Sequence, residues 1–177
     1  MDSRILAYMK AAIYPGTFDP ITNGHIDIVK RAAYIFKDII VAVAKEPSKN
    51  TFFTYPERLK MVKEVTRSIK GVSVEGFDGL TVNFAKKKKA KVIVRGLRMI
   101  SDFEYEFQMA LTNRSFSSDI ETIFLMPHPF YSYISSRLIK EAAFLGADLK
   151  QFLPSVVLKE IKKIKKPRPS KTKCVYV

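Results

Sequence analysis

The residues whose types and spacing best suit chemistry are Thr17 and His25, within Ala11–His25, which reads AAIYPGTFDPITNGH. The stretch opens as a short apolar strand, Ala11–Tyr14, and breaks at Pro15-Gly16. After His25 an amphipathic pattern begins, with Ile28, Val29, Ala32, Ala33 and Phe36 at helical spacing among Asp27, Lys30, Arg31 and Lys37. A strand that feeds a glycine-bearing turn and then a helix start presents free backbone N–H groups and the positive end of the helix dipole. Both favour an anion. Gly16 and Gly24, lacking a Cβ, are expected to let the backbone approach a ligand closely. The chemistry this suits is phosphate binding, with His25 as a directed donor; an ordinary strand–turn–helix with a surface histidine is the plainer alternative.

More cations and hydroxyls fall just after other strand-like runs. Lys49 follows Ile39–Ala44, and Arg95 and Arg98 follow Lys91–Val94. Tyr131, Ser132, Ser135, Ser136 and Arg137 follow Glu121–Met126. Arginine binds phosphate oxygens as a fork and lysine as a mobile point charge, so the set suits two or more phosphate groups. No Ser-His-Asp or Cys-His arrangement is evident, so no covalent nucleophile is expected. Phosphoryl-type transfer needs none. A phosphate monoester, with a second pKa of about 6, is itself a nucleophile at neutral pH. The protein's task is then alignment and charge stabilisation.

The elements that must position these residues alternate between strand and helix. Strands are expected at Ala11–Tyr14, Ile39–Ala44, Val72–Glu75, Lys91–Val94 and Glu121–Met126. Thr54-Tyr55-Pro56-Glu57 and Ser101-Asp102-Phe103-Glu104 read as capping boxes opening helices, and Ser135 as a simple N-cap. A last helix is expected over Ser155–Ile164. The pattern predicts a doubly wound, Rossmann-like α/β domain: a parallel five-stranded sheet, helices on both faces and a C-terminal helix. Such sheets bind ligands beyond the carboxyl ends of their strands, where the polar clusters fall. The expected organisation is an N-terminal extension over 1–8, one domain over 9–164 and a basic tail over 165–177.

Composition narrows the class. The chain has 177 residues, 47% of them hydrophobic and 27% charged, as expected of a globular domain. No apolar run approaches a membrane span, and the N-terminus does not read as a signal peptide, so a cytoplasmic protein is expected. The only cysteine, Cys174, lies in the tail, and the only histidines are His25 and His128, so no protein-built zinc site is expected. Much of the net charge of +14 gathers in Lys159–Val177. A basic RNA-binding module would instead interleave aromatic and basic residues on one surface. Lys86–Lys89 reads as a solvated helix end, and Phe103 and Phe107 as core or oligomer contacts.

The motif Tyr14-Pro15-Gly16-Thr17-Phe18-Asp19-Pro20 with Thr22-Asn23-Gly24-His25 resembles the signature of the nucleotidylyltransferase superfamily. The form with Thr22 ahead of Gly24-His25 resembles its phosphopantetheine adenylyltransferase branch. Pro47-Ser48-Lys49, Ile93–Arg98, Asp102–Glu106, Phe124–Pro127 and Tyr133–Glu141 match that branch in order, so the resemblance spans roughly Lys10 to Ile164. It implies adenylyl transfer from ATP to 4′-phosphopantetheine, giving dephospho-coenzyme A and pyrophosphate, with Mg²⁺ carried by ATP. It implies that Thr17 orients the attacking phosphate and His25 stabilises the transition state, with Lys49 and Arg98 also in the catalytic set. ATP would be held by Gly16, Thr17, Phe18, His25, Gly96, Leu97, Arg98, Glu106, Tyr131, Ser132, Tyr133, Ile134, Ser135, Ser136 and Arg137. The acceptor would be held by Thr17, Lys49, Thr81 and Arg95. The resemblance also implies a homohexamer inhibited by coenzyme A, with neither nucleic acid nor membrane as a partner. Thr81 and Pro127-His128-Pro129-Phe130 depart from the family pattern. Relatives using nicotinamide mononucleotide or glycerol phosphate as acceptor are the nearest alternative.

Overall fold

The computed structural model describes residues 10–46 and 51–163. The proposed N-terminal extension, the basic tail and Lys49 lie outside the described residues. Five strands, β1 (Ala11–Gly16), β2 (Asp38–Ala44), β3 (Val72–Phe77), β4 (Val92–Gly96) and β5 (Glu121–Leu125), form one parallel sheet in the order β3-β2-β1-β4-β5. Among the described residues the helices are α1 (Asn23–Ile35), α2 (Tyr55–Thr66), α3 (Thr81–Lys87), α4 (Ile100–Phe116), α5 (Ser136–Phe144) and α6 (Ser155–Lys163). The chain therefore runs outward from β1 in one direction to β3, then returns to β4 on the other side. The crevice of a doubly wound sheet lies at that switch, beyond the ends of β1 and β4.

Alternation along the strands divides the core between two faces. Ala12, Tyr14, Val41, Val43, Val92 and Val94 point to one face, where Ile28, Val29 and Ala32 of α1 and Met61 and Val62 of α2 meet them. Ile139 of α5 and Val157 of α6 complete that cluster. Ile13, Ala42 and Ile93 point to the other face, covered by Val82, Phe84 and Ala85 of α3. The helix α4 contacts β5 and α3, yet its one buried residue is Glu106.

Three strands run two residues further at their carboxyl ends than the sequence pattern predicts; β4 does so through Arg95-Gly96, beside Phe124 and Leu125. β1 continues through Pro15-Gly16 because a parallel partner is in register, Pro15 beside Ala42 and Gly16 beside Val43. β3 continues through Gly76-Phe77, opposite Val43 and Ala44, and Phe77 joins the second core. The Thr54 capping box forms, with Glu57 accepting from the Thr54 N–H at 2.8 Å. The Ser101 box does not form: α4 starts two residues earlier, with Met99 at its N-cap and no side-chain cap bond. Arg98 takes the Asp102 carboxylate, which lies in that first turn.

Candidate active site

The turn after β1 is fixed from below by two buried charges. Asp19 accepts the backbone N–H groups of Phe52 and Phe53 at 2.8 Å each, and the Lys140 ammonium at 2.8 Å. Arg58, only 1% exposed, donates to four main-chain oxygens: Thr17 at 2.7 Å, Ala44 at 2.8 Å, and Lys45 and Phe53 at 3.2 Å. Among the described residues no carboxylate bonds Arg58, so its charge is dispersed over carbonyl dipoles, and burial lowers its pKa from the ordinary value while Asp19 opposes the shift. The Thr17 backbone is thus tied to the end of β2 and to the start of α2. Ser136 Oγ donates to Pro20 O at 2.8 Å, joining the start of α5 to the same turn.

Phe18 turns the chain with φ of 50°, a left-handed conformation uncommon outside glycine. Its ring goes inward, edge-on to Tyr14 at 5.5 Å and to His25 at 5.3 Å. That ring occupies the space a Cβ on Gly16 would need, at 2.9 Å, and Tyr131 Cβ lies 3.2 Å from a Cβ on Gly24. Both glycines therefore admit the protein's own aromatic residues, where the sequence reading expected them to admit a ligand.

His25 is at once a cap and a cleft residue. Thr22 is the N-cap of α1; its Oγ1 accepts the His25 N–H at 3.3 Å, and the His25 ring returns Nδ1 as acceptor to the Thr22 N–H at 3.0 Å. A backbone N–H can only donate, so Nδ1 is the unprotonated nitrogen and Nε2 carries the hydrogen. Burial lowers the His25 pKa to about 4, and Arg98 and Arg95 push it the same way. The ring is therefore neutral at physiological pH and offers one N–H.

Opposite this wall, Arg95 Nε and Nη2 make a bidentate pair with Glu106 at 2.7 and 2.6 Å, while Nη1 donates to Pro15 O at 2.8 Å. Burial lowers the Arg95 pKa, but the bonds to Glu106 outweigh it and raise the net value. Arg98 pairs with Asp102 at 2.9 Å and donates to Ile134 O at 2.9 Å. Arg137, at the mouth, pairs with Glu141 at 3.1 Å.

These walls enclose a cleft of about 800 Å³ at the switch between β1 and β4. Of the residues singled out from sequence, Gly16, Thr17, Phe18, His25, Thr81, Arg95, Gly96, Arg98 and Glu106 line it, with Tyr131, Ile134, Ser135, Ser136 and Arg137. Leu97, Ser132 and Tyr133 are not on its wall: Leu97 N bonds Leu125 O, Ser132 Oγ turns back to Pro129 O, and Tyr133 meets Phe130 and Phe152. The sequence reading missed Arg58, Lys140 and the structural part of Asp19. A signal for Arg58 was present: it sits on the apolar stripe of α2 with Met61, Val62 and Val65. A charge at a core position of a helix needs buried partners. Among the described residues no group of three or more His, Cys, Asp or Glu side chains is placed to hold a metal ion.

A family model, cytidylyltransferase-like, matches residues 13–142. The phosphopantetheine adenylyltransferase of Caldanaerobacter subterraneus subsp. tengcongensis is 53% identical over 153 residues, which is 86% of this chain and 96% of that protein. The enzyme of the same name from Moorella thermoacetica is 52% identical over 149 residues, 84% of this chain and 93% of its own. Among solved structures, the nicotinic acid mononucleotide adenylyltransferase of Plasmodium falciparum complexed with NaAD superposes with a TM-score of 0.66 at 17% identity. That match covers 87% of this chain and 95% of that one, a likeness of fold alone. With a sheet that switches direction at the cleft and relatives this similar over most of its length, the chain belongs to the phosphopantetheine adenylyltransferase family of cytidylyltransferase-like proteins.

Proposed function

We propose that the cleft transfers the adenylyl group of ATP to the phosphate of 4′-phosphopantetheine, giving dephospho-coenzyme A and pyrophosphate. The observation that carries this reading is the neutral His25 at the start of α1, facing the same cleft as Thr17, Arg95 and Arg98. A phosphate oxygen of the acceptor forms a bond to the α-phosphorus, and the bond from that phosphorus to the bridging oxygen of pyrophosphate breaks. No proton need be abstracted, so a neutral histidine suits the step: its Nε2–H stabilises charge growing on a non-bridging oxygen. The Thr17 hydroxyl orients the acceptor phosphate, its backbone held by Arg58. Lys49, Thr81 and Arg95 complete the acceptor side, and Arg98, Glu106 and the segment from Tyr131 to Arg137 the nucleotide side.

Mg²⁺ would arrive on the ATP phosphates and neutralise their charge. The cleft carboxylates are already engaged, Asp19 by Lys140, Asp102 by Arg98 and Glu106 by Arg95. We further read the protein as a cytoplasmic homohexamer inhibited by coenzyme A. Exposed apolar residues on α4, among them Ile100, Phe103, Tyr105, Phe107 and Leu111, support assembly with further copies. The test is pyrophosphate release with ATP and Mg²⁺, offering 4′-phosphopantetheine, nicotinamide mononucleotide or glycerol 3-phosphate separately. Release with 4′-phosphopantetheine alone is expected, and release with another acceptor would move the chain's specificity elsewhere in the superfamily.

A further inference from the structure

Tyr14 stands on β1 where that strand parts from β4, and only 5% of the residue is exposed. Its hydroxyl is close to the β4 backbone, since a Cβ on Gly96 would stand 3.5 Å from Oη. The other buried polar side chains have protein partners. Asp19 and Arg58 are bonded as described, Glu106 holds Arg95, Thr66 donates to Val62 O, and Ser117 donates to Asp119. Tyr14 Oη has no protein hydrogen-bond partner among the described residues. Buried tyrosine hydroxyls almost always have one. Among the described residues no side-chain oxygen that is fully enclosed lacks a partner, so the remaining exposure of Tyr14 reaches Oη, and the surface it reaches is the cleft wall.

We propose that Tyr14 is a further substrate-contacting residue, whose hydroxyl donates a hydrogen bond to a phosphate oxygen of the ligand lying between the ends of β1 and β4. Three observations select this chemistry. Burial raises the Tyr14 pKa, although Arg95 and Arg98 draw it down, so the hydroxyl keeps its proton and can donate. The carboxylate nearest in charge terms, Glu106, already holds Arg95 in a bidentate pair and does not claim the Tyr14 hydrogen. Arg95 and Arg98 line the same cleft, and their positive charge suits an anionic acceptor over a neutral one. The inference rests on the phosphate-transfer reading of the cleft and adds to it a neutral donor beside the cations.

Tyr14→Phe removes only the oxygen and keeps the ring against Phe18. The expected result is a folded variant with an unchanged melting temperature and kcat/KM lowered about tenfold or more, the usual effect of losing a hydrogen bond to a charged group. A loss confined to the ATP titration assigns the contact to the nucleotide phosphates; one confined to the acceptor titration assigns it to the monoester. Unchanged kinetic constants in a folded variant would overturn the proposal. So would a lower melting temperature with unchanged constants, or a failure to fold, because either makes the hydroxyl a need of the protein. Should the unsubstituted protein release no pyrophosphate with any acceptor, the reaction itself is overturned, and calorimetric titration with ATP decides Tyr14 separately. Weaker ATP binding by Tyr14→Phe would then support the contact; equal binding, or none by either form, would overturn it.

Discussion

The two walls of the cleft are built on different terms. The wall after β1 is set in the core: Thr17, Asp19 and His25 are tied by Arg58, by the Phe52 and Phe53 amides and by the α1 cap. The wall after β4 is set on α4: Arg95 and Arg98 take their orientation from Glu106 and Asp102, both on that helix. Around Glu106, α4 is largely exposed and apolar, with Ile100 91% exposed and Phe103 and Phe107 stacked at 5.5 Å. One wall is therefore preorganised by the domain itself. The geometry of the other follows α4, and so whatever covers α4. An oligomer would then act on the site through the helix that orients its arginines.

The sharpest way to break the contrast is at its foundation. Arg58→Ala leaves four carbonyls without their donor and should cost about 3–5 kcal/mol of stability. Denaturant titration reads the loss, and near-native stability would contradict the preorganised wall. His25→Ala should lower turnover by about 10²–10³ while the fold survives, as for loss of one transition-state donor. Single-turnover rates with circular dichroism check both halves of that statement. On the other wall, Glu106→Gln keeps the shape of the Arg95 pair and removes its charge, so weaker substrate binding by roughly 1–3 kcal/mol is expected, with a smaller stability change than for Arg58→Ala.

Two further outcomes sharpen the comparison. Phe103→Asp with Phe107→Asp should lower the sedimentation mass, and should raise substrate KM through Arg95 and Arg98 while leaving the His25 wall intact. The last expectation concerns pH dependence. The folded His25 value of about 4 lies below the ordinary 6.5, so the unfolded chain takes the proton first as pH falls. Stability from this group is complete above about 6.5 and is lost progressively toward 4. Denaturation midpoints across that range should show the slope, and His25→Gln should flatten it. Over the same range kcat should show no inflection near the ordinary imidazole value.

Much of this fold was legible because local pattern and global topology agree. The alternation of apolar runs with amphipathic segments specified five parallel strands, and the polar residues after the first, fourth and fifth runs marked the cleft. Boundaries were less legible where pairing overrode turn chemistry, as at Pro15-Gly16 and Gly76-Phe77, which continue as strand because a partner strand is in register. Ser101 misled for a related reason: a capping pattern is a local offer, and the helix instead starts at Ile100 with Met99 as its N-cap.

By itself, then, the sequence determined the family, the sheet and the identity of most groups that face the cleft, since residue type and spacing are local properties. Tertiary structure alone decided how those groups are held. Residue type does not say that Arg95 is already bound to Glu106, that Nδ1 of His25 is spent on a cap so that Nε2 keeps the hydrogen, or that the Tyr14 hydroxyl meets no protein partner among the described residues. The His25 cap is made within one turn of chain, but the Arg95 pair needs β4 and α4 packed together, and burial by the fold makes a neutral histidine and a protonated tyrosine the stable forms.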